Sequence, residues 1–172
     1  MNHLVLTVIA ADQPGLVEKL ASCISTHGGN WLESRMSRMA GQFAGILKVS
    51  VAANASEALV ASLQALNGQG IRVLLAEGGS DPEQTCKPIL LDLVGNDRPG
   101  IVRDITRVLS ELGVNVESLV TDVAPAPMSS ELLFHAEAVL AVPLSVTLEV
   151  LQARLETLAD DLMVELVLRS DE

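Results

Sequence analysis

Two near-identical heptapeptides, ADQPGLV at residues 11–17 and NDRPGIV at residues 96–102, constrain what this chain can fold into more than any other feature. They lie 85 residues apart in a chain of 172. Each follows an apolar run, places an acidic residue two positions before Pro-Gly, and continues into a branched apolar pair, the pattern of a strand turning into a helix. Aligned on these segments, Gly28 meets Gly113 and Asn30 meets Asn115, so the two halves follow one plan.

The plan can be read element by element. Apolar runs at 4–10 and 89–94 have the length and β-branched content of buried strands. A helix follows in each half, with Leu16, Leu20, Ile24 and His27 on one stripe and Ile101, Ile105, Leu109 and Leu112 on the other. Gly28 and Gly113 stand where these helices should stop. Two strands are predicted next, at 30–39 and 42–52 around an Ala40-Gly41 turn, and at 115–124 and 131–142 around the looser APAPMSS. A second helix reads Leu59, Leu63, Leu66 in one half and Leu144, Leu148, Leu151, Leu155, Leu158 in the other, before closing strands at 71–76 and 162–168. The order is β-α-β-β-α-β twice, the ferredoxin-like arrangement. The expected fold is therefore α+β, two such domains in tandem at 1–78 and 89–172, each an antiparallel sheet with both helices on one face. Residues 79–88, poor in periodicity and rich in Gly, Pro and polar groups, form the expected linker, with Cys86 a linker thiol and Cys23 a small core residue. Units of this size leave one sheet face and the sheet edges to be covered, by the sister repeat or by a second chain, and a homo-oligomer is expected, with a dimer favoured.

Charge narrows the functions. Residues 1–80 carry five basic and five acidic residues, whereas residues 81–172 carry six basic and seventeen acidic ones, so the whole net charge of −11 belongs to the second half. Such a field repels a polyanion, and direct nucleic-acid binding is not expected. No apolar run approaches the ~20 residues of a membrane helix. The start MNHLVLTVIAAD lacks a basic n-region, so no secretory signal and a cytoplasmic location are expected.

The two Asp-x-Pro-Gly segments, each followed by a helix ending in Gly-x-Asn, resemble the signature of the ACT domain, a small ligand-binding regulatory module. Two such domains without a catalytic domain are similar to the glycine cleavage system transcriptional repressor family. The resemblance implies an amino-acid sensor, for glycine in that family, that controls transcription through a DNA-binding regulator protein as partner. The other reading it leaves is a regulatory subunit that confers feedback control on an amino-acid metabolic enzyme.

The heptapeptide has chemistry of its own. A helix N-terminus offers backbone N–H groups without intrahelical partners and a dipole that favours an anion, so a ligand carboxylate fits there. Asp12 or Asp97 could face the ammonium of the same amino acid, or could simply cap the helix. Gly15 and Gly100 permit close approach, and Pro14 and Pro99 preset the helix start. Gln13 in one copy faces Arg98 in the other, and Ala11 faces Asn96; Arg98 adds a carboxylate partner, so the two sites need not be equivalent. The resemblance implies ligands held between two domains, by this loop of one and the strand after Gly-x-Asn of the other, which brings in Asn30 and Asn115. Their alternative role is as turn residues.

Other residues carry less. His3, His27 and His135 lack metal-ligand spacing along the chain, so no metal is predicted. No nucleophile motif or phosphate loop occurs, hence no catalytic residue, no cofactor and no enzymatic activity are expected. Trp31 reads as core or pocket lining, and Met36 and Met39 as adaptable contacts or ordinary packing.

Overall fold

The computed structural model describes residues 1–79 and 85–170. It divides into two compact units, Met1–Asp81 and Pro82–Glu172. The first contains β1 (Asn2–Ala11), α1 (Leu16–Thr26), β2 (Asn30–Met39), β3 (Gln42–Val51), α2 (Ser56–Ala65) and β4 (Arg72–Glu77). The second repeats the order with β5 (Cys86–Asn96), α3 (Ile101–Glu111), β6 (Asn115–Pro125), β7 (Leu132–Pro143), α4 (Leu148–Leu162) and β8 (Val164–Ser170). Each sheet is antiparallel, in the orders β2-β3-β1-β4 and β6-β7-β5-β8.

Period-two alternation decides which face of each sheet is covered. Along β1 the side chains of Leu4, Leu6, Val8 and Ala10 are buried while His3, Thr7 and Ile9 are exposed. The buried row meets Leu16, Leu20 and Ile24 of α1 and Leu59 and Leu63 of α2 in a single core. Unit 2 repeats this with Ile89, Leu91 and Leu93 against Ile101, Ile105 and Leu109 of α3 and Leu151 and Leu155 of α4. Removing each such leucine from water contributes about 1.5–3 kcal/mol, which favours both helices lying on the same face. No helix among the described residues is long and apolar enough to cross a membrane.

Local chemistry sets the turns. Ala40 and Gly41 both have positive φ, 48° and 80°, as a two-residue hairpin of the primed type requires. Gly28 and Gly113 follow α1 and α3 in the left-handed conformation, at φ 68° and 71°.

Four expectations need correction. Helix α4 does not include Leu144, which is 65% exposed; Thr147 caps the helix by accepting a hydrogen bond from the Val150 N–H, and the chain before it is not helical. The same helix runs on to Leu162, so the closing strand starts only at Val164, after a left-handed Met163. Helix α1 ends at Thr26, so His27 is its half-buried C-cap rather than a residue of its last turn, with Nδ1 donating to the Cys23 carbonyl. Cys86 is no linker thiol: residues 86–88 already pair with Pro143, Val142 and Ala141 as the start of β5. Of the expected linker, residues 80–84 lie outside the described residues.

The two cores differ in volume beneath the first helix of each unit. Trp31 and Leu47 of unit 1 correspond to the smaller Val116 and Ala138 of unit 2, and these two line a small cavity of about 30 Å³ beneath α3 whose exposed surface is apolar. That is about the space of one water molecule, with no polar atom to hold one.

Candidate functional site

The two heptapeptides fold into the same loop. Asp12 and Asp97 follow the last residues of β1 and β5, and their backbone N–H groups donate to the carbonyls of Gly41 and Leu132, both at 2.9 Å. Gly15 and Gly100 then take φ 89° and 93° with ψ near zero, angles of the second corner of a type II turn whose first corner suits proline. An L side chain is strained there, which explains the glycine. Their carbonyls accept the first helical bonds, from Lys19 and Asp104, at 3.0 Å in both copies. The N–H groups of residues 16–18 and 101–103 are thereby left without intrahelical partners at the mouth of each loop.

This geometry settles the capping question. In both helices the N-cap is the glycine, with no side-chain cap bond, so neither Asp12 nor Asp97 caps. Pro14 and Pro99 stand outside the helix, one residue before the cap, and shape the turn rather than the first helical position. Both aspartates are exposed, as are Gln13 and Asn96, and Asn96 is the last residue of β5, paired with Leu133. Asp12 forms an ion pair with Arg38 of β2 at 3.6 Å. Asp97 makes no ion pair among the described residues.

The copies diverge in the groups around the loop. Arg98, Arg103 and Arg107 of unit 2 replace Gln13, Glu18 and Ser22 of unit 1. Arg98 is half-buried and turns to the C-terminal end of α4, where it donates to the Asp161 carbonyl at 3.4 Å. One of its five donors is engaged there, by a long bond. Arg103 lies across the glycine itself, since a Cβ added to Gly100 would come within 2.9 Å of its guanidinium. Arg103 and Arg107 approach Asp104 at 3.0 and 3.8 Å. The hydrogen bond from Arg103 foremost, then the charges of Arg103, Arg107 and Arg98, holds the Asp104 carboxyl below the usual carboxylate range against the opposing effect of burial. Guanidinium groups thus gather where a helix dipole already favours an anion. The sequence singles out Arg98 but not Arg103 and Arg107, although these lie three and seven residues after Gly100, on one face of the helix.

Asn30 and Asn115 are placed elsewhere. Each opens a strand at the far end of its sheet: Asn30 pairs with Ser50, and Ser50 with His3, whereas Asp12 follows the opposite end of β1. At about 3.4 Å per residue the nine residues from His3 to Asp12 span about 31 Å, so one amino acid cannot touch both groups within a unit. Asn115 pairs with Ala141 in the same way and lines an open groove of about 410 Å³ with Ser110, Gly113 and Val116.

The fold also assembles a group that spacing did not suggest. Asp92 of β5 and His135 and Glu137 of β7 present potential ligand atoms within 4.8 Å of one another. Two strands supply them, 43 residues apart along the chain, so chain spacing could not reveal the set. The visible part of the signal was His-x-Glu on a strand, which puts both side chains on one face.

Comparison with known proteins agrees with the architecture. Residues 2–72 match one family model and residues 89–156 a second, both described as ACT domain. The fold is similar to a solved structure of an unknown protein from Galdieria sulphuraria, with TM-score 0.88, 24% identity and 99% of each chain covered. It is also similar to a solved structure named as a candidate glycine cleavage system transcriptional repressor, with TM-score 0.73, 20% identity, and 99% of this chain and 98% of that one covered. No curated protein matches the chain significantly.

Proposed function

We propose that this chain, which belongs to the ACT-domain family and carries two of its domains in tandem, is an amino-acid sensor that regulates transcription through a protein partner. The observation that carries the reading is the duplicated loop. A strand end, an aspartate, a proline-glycine turn and a helix N-terminus recur with the same angles and hydrogen bonds. Unit 2 holds the stronger site. The ligand carboxylate lies against the first N–H groups of α3 beside Arg103, with Arg98 at the rim, and the ligand ammonium faces Asp97. Glycine is the first ligand to try, because the similar protein of known structure is named for the glycine cleavage system.

The partner half of the proposal rests on charge. A net charge of −11 disfavours phosphate contacts with DNA, which supports regulation of a promoter through a second protein that binds it. The purified protein alone is expected not to retard promoter DNA at physiological salt. Co-purification from cell extract should recover a DNA-binding regulator. Recovery of an amino-acid metabolic enzyme in its place would favour the regulatory-subunit reading, and tight, salt-sensitive retardation by the protein alone would contradict the partner mechanism.

A further inference from the structure

The open face of the second sheet carries an arrangement that sheet energetics disfavours. Asp92 and Glu137 are a directly opposed cross-strand pair, and like charges in that relation destabilise a sheet. Two residues before Glu137, on the same face, the Nε2 of His135 stands 3.0 Å from the Asp92 Oδ1 and 3.8 Å from the Glu137 Oε1. Asp122 lies opposite His135 on β6, and Glu165 opposite Val94 on β8, so further carboxylates border the group. Arg169 is the basic group that reaches it, at 3.7 Å from the other Asp92 oxygen, which leaves Oδ1 to the cluster.

The fold does not need this set. In unit 1 the same sheet positions hold Thr7, Ala44 and Ile46, where Thr7 opposes Ile46 and Ala44 precedes it by two. The charges are therefore an addition peculiar to unit 2, on a face that folds without them.

We propose that Asp92, His135 and Glu137 form a binding site for a divalent transition-metal ion, with Zn²⁺ preferred. Ligand atoms about 2.0–2.2 Å from a tetrahedral ion lie about 3.4 Å from one another; the two distances from His135, a 3.0 Å hydrogen bond to Asp92 and 3.8 Å to Glu137, bracket that spacing, and the two carboxylates approach within 4.8 Å. A neutral imidazole with two carboxylates suits Zn²⁺, whereas Mg²⁺ and Ca²⁺ take oxygen donors. The cation relieves the repulsion between the opposed carboxylates, and the partly exposed face leaves its fourth position to water. This site lies on the sheet and is independent of the amino-acid reading of the loops.

The test is calorimetric titration of the full chain with Zn²⁺. Exposed Cys86 is changed to serine throughout, so that its thiol does not compete. The expected result is one equivalent bound, a rise in melting temperature with Zn²⁺ but not with Mg²⁺, and a loss of affinity of about a hundredfold or more in both His135→Gln and Asp92→Asn, since even outer-shell changes cost 10–100-fold. The absence of saturable binding, or affinity within tenfold of the parent in either variant, would overturn the proposal.

Discussion

Asn in place of Asp97 is expected to weaken amino-acid binding roughly 10- to 150-fold while leaving the ligand-free protein as stable as before. The first half of this expectation follows from charge. A hydrogen bond to a charged group contributes roughly 1.5–3 kcal/mol, and asparagine keeps the shape but loses the charge. The second half follows from the loop. Asp97 is held by its backbone N–H to the Leu132 carbonyl, and its carboxylate caps nothing, so folding does not depend on it. Asp12→Asn should have the smaller effect. Its carboxylate is shared with Arg38, and unit 1 lacks the arginines that gather around Gly100. Titration calorimetry of both variants gives the affinities, and thermal unfolding without ligand gives the stability. Equal affinity in the parent and both variants would reduce the repeated segment to a helix start.

Leu155→Ala should be among the most damaging single truncations in the second unit. Its side chain is fully buried in α4, and such a truncation costs about 2–5 kcal/mol. For a domain of this size, about 4–8 °C of melting temperature accompanies each kcal/mol, so a fall of roughly 8–40 °C is expected for the unit that contains it. Leu144→Ala is the matched control. Sequence periodicity put both leucines on one stripe, yet Leu144 is 65% exposed before the Thr147 cap, and its loss should stay within about 0.5 kcal/mol. Calorimetric unfolding that gave the two variants similar shifts would contradict the position of the α4 start and the composition of the second core.

These cases show where sequence carries the fold and where it stops. Gly28, Gly113 and Ala40-Gly41 were legible because a positive φ is a local demand that glycine meets within its own turn. The burial of Leu16, Leu20 and Ile24 was legible because a helix repeats its face every three to four residues. Leu144 misled because periodicity has no edge of its own; the Thr147 cap sets the edge. The capping role offered for Asp12 and Asp97 failed on backbone geometry, since a left-handed glycine occupies the cap position three residues later. In the candidate loop, Asp97 and Gly100 could be named from sequence, while the turn of Arg98 toward Asp161 required α4 to be in place. The grouping of Asp92 with His135 and Glu137 similarly depends on strand register, which no single segment encodes. Local demands were readable, and contacts between distant elements were not.

Amino-acid recognition by the loops can be read from a thermal-shift series against the twenty common amino acids. A ligand that binds only the folded state raises its stability by mass action, by about 2.7 kcal/mol at a hundred times its Kd. The expected result is a saturable rise in melting temperature with one amino acid or a small related set, glycine tried first, and loss of most of that rise in Asp97→Asn at the same ligand concentration. No rise with any of the twenty at millimolar concentration, or a rise that Asp97→Asn and Asp12→Asn leave untouched, would contradict it.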